Sequence, residues 1–151
     1  MSYNEESGRY KKLDPVFWIP REERPMCPVE GYKAAKPRFD KASLQQYICL
    51  VTRMKHAYRV AYKAYEDSIA DGISNEVARA VLPVGIYSSC WVTTNVRNLM
   101  QFLSLRTHDE TASFVSYPQR EIEEAAIATE LILAKGWPLT HRAFIEAGRV
   151  C

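Results

Sequence analysis

The sequence predicts a mostly helical α+β fold with one long helix and short strands. Apolar residues recur at spacings of three and four between residues 44 and 69, which is the period of a helix with one buried face. A second helical pattern spans Asn95 to Arg106, and the stretch before it, Gly85 to Thr94, is rich in β-branched and aromatic residues typical of a strand. Two helical patterns and one extended stretch in a single chain indicate the α+β class.

Composition and charge are those of an ordinary globular domain. With 151 residues, 47% of them hydrophobic, the chain can bury one core, and we expect a single domain over residues 1–151. The 20 basic and 18 acidic residues give a formal charge of +2, which favours neither nucleic acid nor a membrane surface as a partner. No apolar run approaches the roughly 18 residues of a membrane span, and the polar N-terminus lacks a secretion signal, so we expect a cytoplasmic protein.

The cysteines and histidines predict no metal site. Cys27, Cys49, Cys90 and Cys151 lie far apart, and they form neither a disulfide framework nor a metal-type spacing with the histidines. We therefore expect reduced, structural thiols. On the residues alone, Cys90 beside Trp91 is also a candidate nucleophile.

The N-terminal region is polar and then irregular. The first ten residues show only weak alternation, and Leu13 to Pro37 is rich in proline, which predicts an irregular connection with one extended piece at Val16 to Ile19. Ser7-Gly8-Arg9 offers a hydroxyl, an unobstructed backbone and a guanidinium, a combination that suits a phosphate or another anion. A turn with a solvated arginine is the alternative, and three residues alone favour it.

The long helix begins near residue 40 and ends before Gly72. Asp40 or Ser43 can cap it, and its apolar stripe runs to about Ala70 as a core or subunit contact. Its other face is basic, and a solvated surface is favoured there over an RNA site. The basic residues are Arg53, Lys55, Arg59 and Lys63.

A short helix and a strand follow. Ser74 can cap a helix through Val81 that Pro83 ends, and this helix carries Arg79. The strand then occupies Gly85 to Thr94. Its last residue can cap the next helix.

The helix from Asn95 to Arg106 is apolar on most sides. Arg97, Gln101 and Ser104 form a narrow polar stripe on it, and buried polar groups need partners. The residues alone favour an ordinary core helix with satisfied polar groups over a ligand-binding helix. The apolar face consists of Val96, Leu99, Met100 and Leu103, flanked by Phe102 and Leu105.

Two further helices are predicted after a polar loop. The loop spans Thr107 to Tyr117, and Ser116-Tyr117-Pro118 begins a helix through about Ala134. A last short helix is capped by Thr140 and closed by Gly148.

Four segments occur in an order that is found in a known family. They read Asn4-Glu5-Glu6-Ser7-Gly8-Arg9-Tyr10, then Ala78-Arg79-Ala80-Val81-Leu82-Pro83, then Trp91-Val92-Thr93-Thr94-Asn95-Val96-Arg97-Asn98-Leu99-Met100-Gln101-Phe102-Leu103-Ser104-Leu105-Arg106, and then Gln119-Arg120-Glu121-Ile122. The chain resembles flavin-dependent thymidylate synthase over nearly its whole length. The resemblance implies the C-terminal part of that fold, with helix-bundle packing.

The resemblance also implies an activity. Members are homotetrameric flavoprotein methyltransferases of nucleotide biosynthesis, with active sites built between subunits. They convert dUMP to dTMP, using FAD as cofactor, methylenetetrahydrofolate for carbon and NADPH for electrons.

The family motifs imply two sets of binding residues. The dUMP site would consist of Glu5, Glu6, Ser7, Gly8, Arg9, Arg79 and Arg106. The FAD site would consist of Ser2, Glu5, Asn95, Val96, Arg97 and Gln101. No metal is implied, and Cys90 would be structural because the family needs no cysteine nucleophile.

Arg106 is the residue that the resemblance implies for catalysis. A guanidinium against the uracil favours the ionised N3 form, because opposite charge lowers the pKa of a nearby acid. The alternative is a cation that complements the C-terminus of its own helix.

The family also carries an Arg-His-Arg motif immediately upstream of the segment that begins near Ser2. The resemblance therefore implies an N-terminally truncated domain, which works with a missing or separately encoded N-terminal portion that contributes to the flavin site. The alternative is a non-catalytic oligomerising or nucleotide-binding remnant of the family.

Overall fold

The computed structural model describes residues 2–31 and 37–150, and it confirms the α+β class. The described residues divide into two compact units: the first comprises residues 4–31 and 38–91, and the second comprises residues 2, 3, 37 and 92–150. A 3-10 turn, Arg79–Val81, directly continues α2. The strands and helices are β1 Ser2–Glu5, β2 Pro25–Pro28, β3 Phe39–Lys41, α1 Leu44–Ala70, α2 Asn75–Ala78, β4 Cys90–Thr93, α3 Val96–Arg106, α4 Arg120–Gly136 and α5 Pro138–Glu146.

The long helix α1 has the predicted bounds because its ends carry strong local signals. The Ser43 hydroxyl accepts a hydrogen bond from Gln46 N, and the Gln46 side chain accepts one from Ser43 N, which makes a capping box. Gly72 follows the helix with a φ of 86°, a left-handed conformation that glycine adopts without strain. Ser43, and not Asp40, is therefore the cap.

The core of the first unit lies between α1 and α2. Tyr62, Tyr65 and Ala78 are buried, and the partly buried side chains packed against them include those of Phe17 and Ile86. Tyr62 lies on the same face of the helix as Tyr58 and Tyr65, because the three residues are spaced by four and three positions.

A small hairpin was missed in the sequence. β2 pairs antiparallel with β3, with Pro25 opposite Lys41 and Pro28 opposite Phe39, and the register shifts between Pro25 and Cys27. Proline cannot donate to a strand ladder, but the edge of a two-stranded sheet tolerates it. The proline-rich composition therefore concealed a strand within the predicted irregular connection, of which residues 32–36 lie outside the described residues.

The predictions for residues 74–94 were correct in order and wrong in detail. Ser74 is at the cap position of α2, but its side chain makes no capping hydrogen bond. The strand β4 occupies only Cys90–Thr93 and pairs with β1, whereas Ile86 forms an isolated bridge with Phe17. The predicted strand is therefore divided by Tyr87 to Ser89.

The second unit contains α3, α4 and α5. Its buried core consists of Leu103, Ala126, Leu133 and Phe144. Asn95, and not Thr94, caps α3, since its side chain accepts a hydrogen bond from Asn98 N at 2.8 Å. Thr140 does not cap the last helix, because α5 already begins at Pro138, and proline is well suited to the first helical turn.

Within the described residues, no helix is long and apolar enough to cross a membrane. The same residues contain no group of three or more histidine, cysteine, aspartate or glutamate side chains placed to hold a metal ion. Cys27, Cys49 and Cys90 are free thiols.

Candidate functional site

A cavity of about 560 Å³ lies in the first unit and contains most of the predicted nucleotide site. Its volume is in the range of small-molecule pockets. The N-terminal segment contributes Glu5 to Gly8, and the 3-10 turn contributes Arg79. The other lining residues are Leu13, Val84, Ile86 and Ser88.

The backbone of the Ser7-to-Tyr10 segment forms a turn. Tyr10 N donates to Ser7 O at 3.1 Å, and Arg9 N donates to the Ser7 hydroxyl at 3.3 Å. Gly8 is buried, and a Cβ there would lie 2.9 Å from a methyl carbon of Leu13. The turn is therefore packed closely enough that a side chain at its second position would displace Leu13.

Arg79 supplies a positive charge to the cavity. Its side chain has no hydrogen-bond or ion-pair partner among residues 2–31 and 37–150, although it lines the cavity together with the Ser7–Gly8 turn. Arg79 is exposed, and a guanidinium binds a phosphate with paired, charge-assisted hydrogen bonds. The cavity can thus hold an anion beside Arg79.

Two carboxylates lie at the opposite end of the same segment. Glu5 accepts a hydrogen bond from the Ser88 hydroxyl at 3.0 Å, and Glu6 accepts one from the Ser89 hydroxyl at 2.8 Å. Glu6 also pairs with Lys11. The hydrogen bond from Lys11, followed by that from Ser89, holds the pKa of Glu6 below its ordinary value. Glu6 is therefore ionised and already partnered, which leaves Glu5 as the carboxylate with the single serine contact.

Arg9 does not line the cavity. Its guanidinium forms an ion pair with Glu76 at 3.0 Å, and both side chains are about half exposed. Glu76 is one helical turn before Arg79, so this pair brings Arg9 to the same short helical segment. An exposed pair of this kind is weak, so an incoming anion can compete for Arg9 at little cost.

Three of the predicted flavin residues of the second unit, Asn95, Val96 and Arg97, lie at the start of α3, and Gln101 lies in the middle of that helix. Asn95 is the cap, Val96 is half-buried, and Arg97 and Gln101 are both exposed and one turn apart. Ser2, the remaining candidate, is exposed in β1. Donor side chains beside the free N–H groups of a helix N-terminus suit an anionic or acceptor-rich group, so these residues fit the polar part of a dinucleotide such as FAD.

Arg106 is the last residue of α3. It is exposed, and its Nη1 donates to Leu105 O at 2.9 Å. This contact is the helix-terminus role that we gave as the alternative. It occupies one of the five N–H donors of the guanidinium, so the others remain able to meet a ligand.

The sequence missed several lining residues of the cavity. Ser88 had been assigned, with its neighbour Ser89, to the interior of a strand, and Leu13 to an irregular connection. The Ser-Ser dipeptide among apolar residues was the available signal, because hydroxyl residues at such a point are typical of a break in a strand.

The comparisons with known proteins identify the family. A family model described as thymidylate synthase complementing protein matches residues 1–139. The chain is 48% identical to the flavin-dependent thymidylate synthase of Tropheryma whipplei over 149 residues, which are 99% of this chain and 61% of that protein. The chain belongs to the flavin-dependent thymidylate synthase family.

Other members of the family show the same partial coverage. The synthase of Streptomyces coelicolor is 48% identical over 99% of this chain and 60% of its own length, and that of Thermotoga neapolitana is 33% identical over 96% and 57%. The chain therefore spans about 60% of the length of these relatives.

A solved structure has the same fold. It is a UMP/dUMP methylase, PolB, from Streptomyces cacaoi bound with 5-Br UMP, and it matches with a TM-score of 0.93 and 43% identity over 99% of this chain and 65% of that one. A second structure of the same methylase, bound with 5-Br dUMP, matches with a TM-score of 0.86.

Proposed function

We propose that this chain carries the nucleotide site and part of the flavin site of an enzyme that methylates dUMP to dTMP. The observation that carries the proposal is the cavity that Arg79 lines together with Ser7 and Gly8, since the Arg79 side chain has no hydrogen-bond or ion-pair partner within the described residues. A pyrimidine nucleotide combines a dianionic phosphate with a neutral polar ring, and the cavity combines a cation with hydroxyl and carboxylate groups. The family name and the nucleotides bound by the methylase from Streptomyces cacaoi support the same ligand.

In this proposal the two arginines of the first unit bind the phosphate. Arg79 meets it directly, and Arg9 exchanges Glu76 for it. Ser7 and the Gly8 backbone provide further hydrogen bonds, since no side chain at Gly8 obstructs the approach. Glu5 and Glu6 lie beside the polar groups of the nucleoside, where Glu5 accepts from a hydroxyl or ring N–H.

Arg106 is the proposed catalytic residue. Its guanidinium stabilises negative charge on the pyrimidine, which favours the N3-ionised ring and activates the ring for hydride and carbon transfer. Asn95, Val96, Arg97 and Gln101, with Ser2 and Glu5, hold the FAD. The flavin supplies the redox chemistry when it is bound, with NADPH as the source of electrons and methylenetetrahydrofolate as the source of carbon.

The remaining part of the family fold is required in this proposal. Relatives extend well beyond the matched region, and we propose that the remaining portion, on the same or a separate polypeptide, completes the flavin site. The working assembly is a homo-oligomer, a tetramer by analogy with the family, and we place it in the cytoplasm.

The phosphate contact provides the first test. We expect the chain to bind dUMP but not deoxyuridine in a calorimetric titration, and Arg79→Gln to weaken dUMP binding. Loss of a hydrogen bond to a charged group costs about 1.5–3 kcal/mol, which corresponds to roughly 10- to 100-fold in Kd. Lys55→Gln is the matched control, because Lys55 is an exposed cation of α1 outside this cavity. Equal binding of nucleoside and nucleotide would contradict the proposed site.

Activity provides the second test. The chain is mixed with an N-terminal portion of a relative that ends in Arg-His-Arg, and flavin absorbance and tritium release from labelled dUMP are measured. We expect a yellow complex that releases tritium. A folded, colourless complex that still binds dUMP would instead support the non-catalytic, nucleotide-binding remnant.

A further inference from the structure

The side chain of Arg149 connects three separate segments of the second unit. Its Nε donates to Asp109 Oδ2 at 2.8 Å, and its Nη1 donates to the Thr107 hydroxyl at 2.9 Å. Its Nη2 donates to both carboxylate oxygens of Glu130, at 2.8 and 3.1 Å. The side chain is only 12% exposed, so these charged hydrogen bonds are shielded from water.

The backbone at Arg149 is held in an uncommon conformation. Arg149 has a φ of 61°, and Gly148 before it has a φ of 69°. A left-handed arginine persists only where surrounding contacts fix it. Those contacts are present, since Arg149 N donates to Phe144 O and Ser113 N donates to Gly148 O, each at 2.9 Å.

One of the Arg149 contacts ends on Thr107, the residue that directly follows Arg106. Thr107, which Arg149 contacts, is buried, and its hydroxyl donates to Leu103 O at 2.7 Å. On the other side, the Ser116 hydroxyl donates to Leu105 O at 2.7 Å, the same carbonyl that accepts from Arg106 Nη1. The backbone is thus fixed both immediately before and immediately after Arg106.

We propose that Arg149 is a positioning residue for Arg106, which it serves by fixing Thr107 and the loop that follows. The inference rests on the catalytic role of Arg106 given above. Arg149 lies beyond residue 139, where the match to the family model ends, so the family pattern does not assign it. It orients the end of α3 and does not touch the nucleotide.

An arginine is required because three acceptors surround one side chain. The planar guanidinium reaches Thr107, Asp109 and Glu130 simultaneously, whereas a lysine ammonium at the end of a flexible stem cannot span them in the same plane. A purely structural role would make Arg149 a counter-charge for Asp109 and Glu130, and lysine would satisfy that role in part. Arg149→Lys therefore separates positioning from charge.

The experiment uses the chain mixed with the N-terminal portion of a relative, as in the activity test above. We expect Arg149→Lys to lower kcat on the order of 100-fold, as a displacement of about 1 Å at a catalytic group does, with the Kd for dUMP unchanged. Amide exchange should become faster at Thr107 and Thr111. Arg142→Lys is the control, because Arg142 is exposed on α5 and has no side-chain partner within the described residues.

Thr107→Val is the milder variant, for the case in which Arg149→Lys fails to fold. It keeps the size of a buried side chain and removes one acceptor of Arg149, and we expect a roughly tenfold loss of kcat. Wild-type kcat in either folded variant, or a kcat loss that only follows the unfolded fraction, would overturn the proposal. If the wild-type assembly binds dUMP but shows no turnover, the proposed function fails. The positioning role is then tested by amide hydrogen exchange alone, and an unchanged exchange rate at Thr107 in Arg149→Lys would overturn it.

Discussion

The side chain of Leu13 occupies the space into which a side chain on Gly8 would project. A Cβ at Gly8 would lie 2.9 Å from Leu13 Cδ1, closer than real Cβ atoms approach a neighbour. Leu13 is in turn fixed to α1, since its N–H donates to the Tyr65 hydroxyl at 3.1 Å and its carbonyl accepts from the Tyr62 hydroxyl at 2.8 Å. The turn of the candidate nucleotide site is thus anchored to the long helix through one leucine.

Gly8→Ala should disturb this anchor. We expect the variant to lose about 1–3 kcal/mol of unfolding free energy, the usual cost of an extra methyl group in a packed site, and to bind dUMP more weakly than the wild type. Urea denaturation and calorimetric titration measure the two effects.

Leu13→Val supplies the control for that prediction. Removing one methylene makes room for the new methyl group, so Gly8→Ala should cost less in the Leu13→Val background than in the wild type. Additive losses in the double variant would show that the two side chains do not compete for the same space.

Tyr65→Phe should destabilise the first unit through a single lost acceptor. Tyr65 is fully buried, so removal of its hydroxyl leaves Leu13 N–H without a partner, at a cost of about 1–3 kcal/mol. Tyr58→Phe is the matched control, because the Tyr58 hydroxyl has no hydrogen-bond partner within residues 2–31 and 37–150, and we expect a change within about 0.5 kcal/mol. Equal losses in the two variants, measured by urea denaturation, would contradict a specific role for the Leu13 hydrogen bond.

The helices were predictable because their signals are local. Ser43 and Gln46 form a capping box within four residues of sequence, and Gly72 ends the same helix a few residues after its last apolar position. The β2–β3 hairpin has no such local signal. Its prolines read as irregular chain, and only the pairing with Phe39–Lys41 makes the segment a strand.

The candidate site was predictable in its motifs but not in its surroundings. Glu5, Ser7, Gly8 and Arg79 line one cavity although 70 residues separate Gly8 from Arg79, and the family resemblance is what related them. The contact of Arg149 with Asp109 spans 40 positions and follows no motif. Tertiary contacts of this kind depend on how α4 and α5 pack, which composition and periodicity do not specify.

Arg106→Lys should separate catalysis from binding. An ammonium retains the positive charge but not the planar arrangement of donors, so turnover should fall much more than affinity for dUMP. The contact of Arg106 with Leu105 O uses only Nη1, and lysine can replace that contact. Arg53→Lys on the exposed face of α1 is the control. Steady-state kinetics on the reconstituted enzyme measures kcat, and a dUMP titration measures the affinity. Parallel losses in kcat and affinity would mean that Arg106 only holds the ligand.

Asp109 should make the second unit sensitive to acid. Hydrogen bonds from the Thr111 hydroxyl, from Arg149 and from Thr111 N lower the pKa of Asp109 from 3.8 to about 2. Because the folded-state pKa lies below the unfolded value, this contribution to stability is fully present above about pH 4 and is lost as the pH falls towards 2. Asp109→Asn should therefore be less stable than the wild type at pH 6, and the difference should shrink between pH 4 and pH 2. Glu110→Gln is the control, because Glu110 is an exposed neighbour whose only ion pair within the described residues is with His108. The urea midpoints of unfolding, measured at several values between pH 6 and pH 2, give the difference in stability. A difference between Asp109→Asn and the wild type that stays constant over this range would show that the Asp109 carboxylate does not stabilise the fold through its charge.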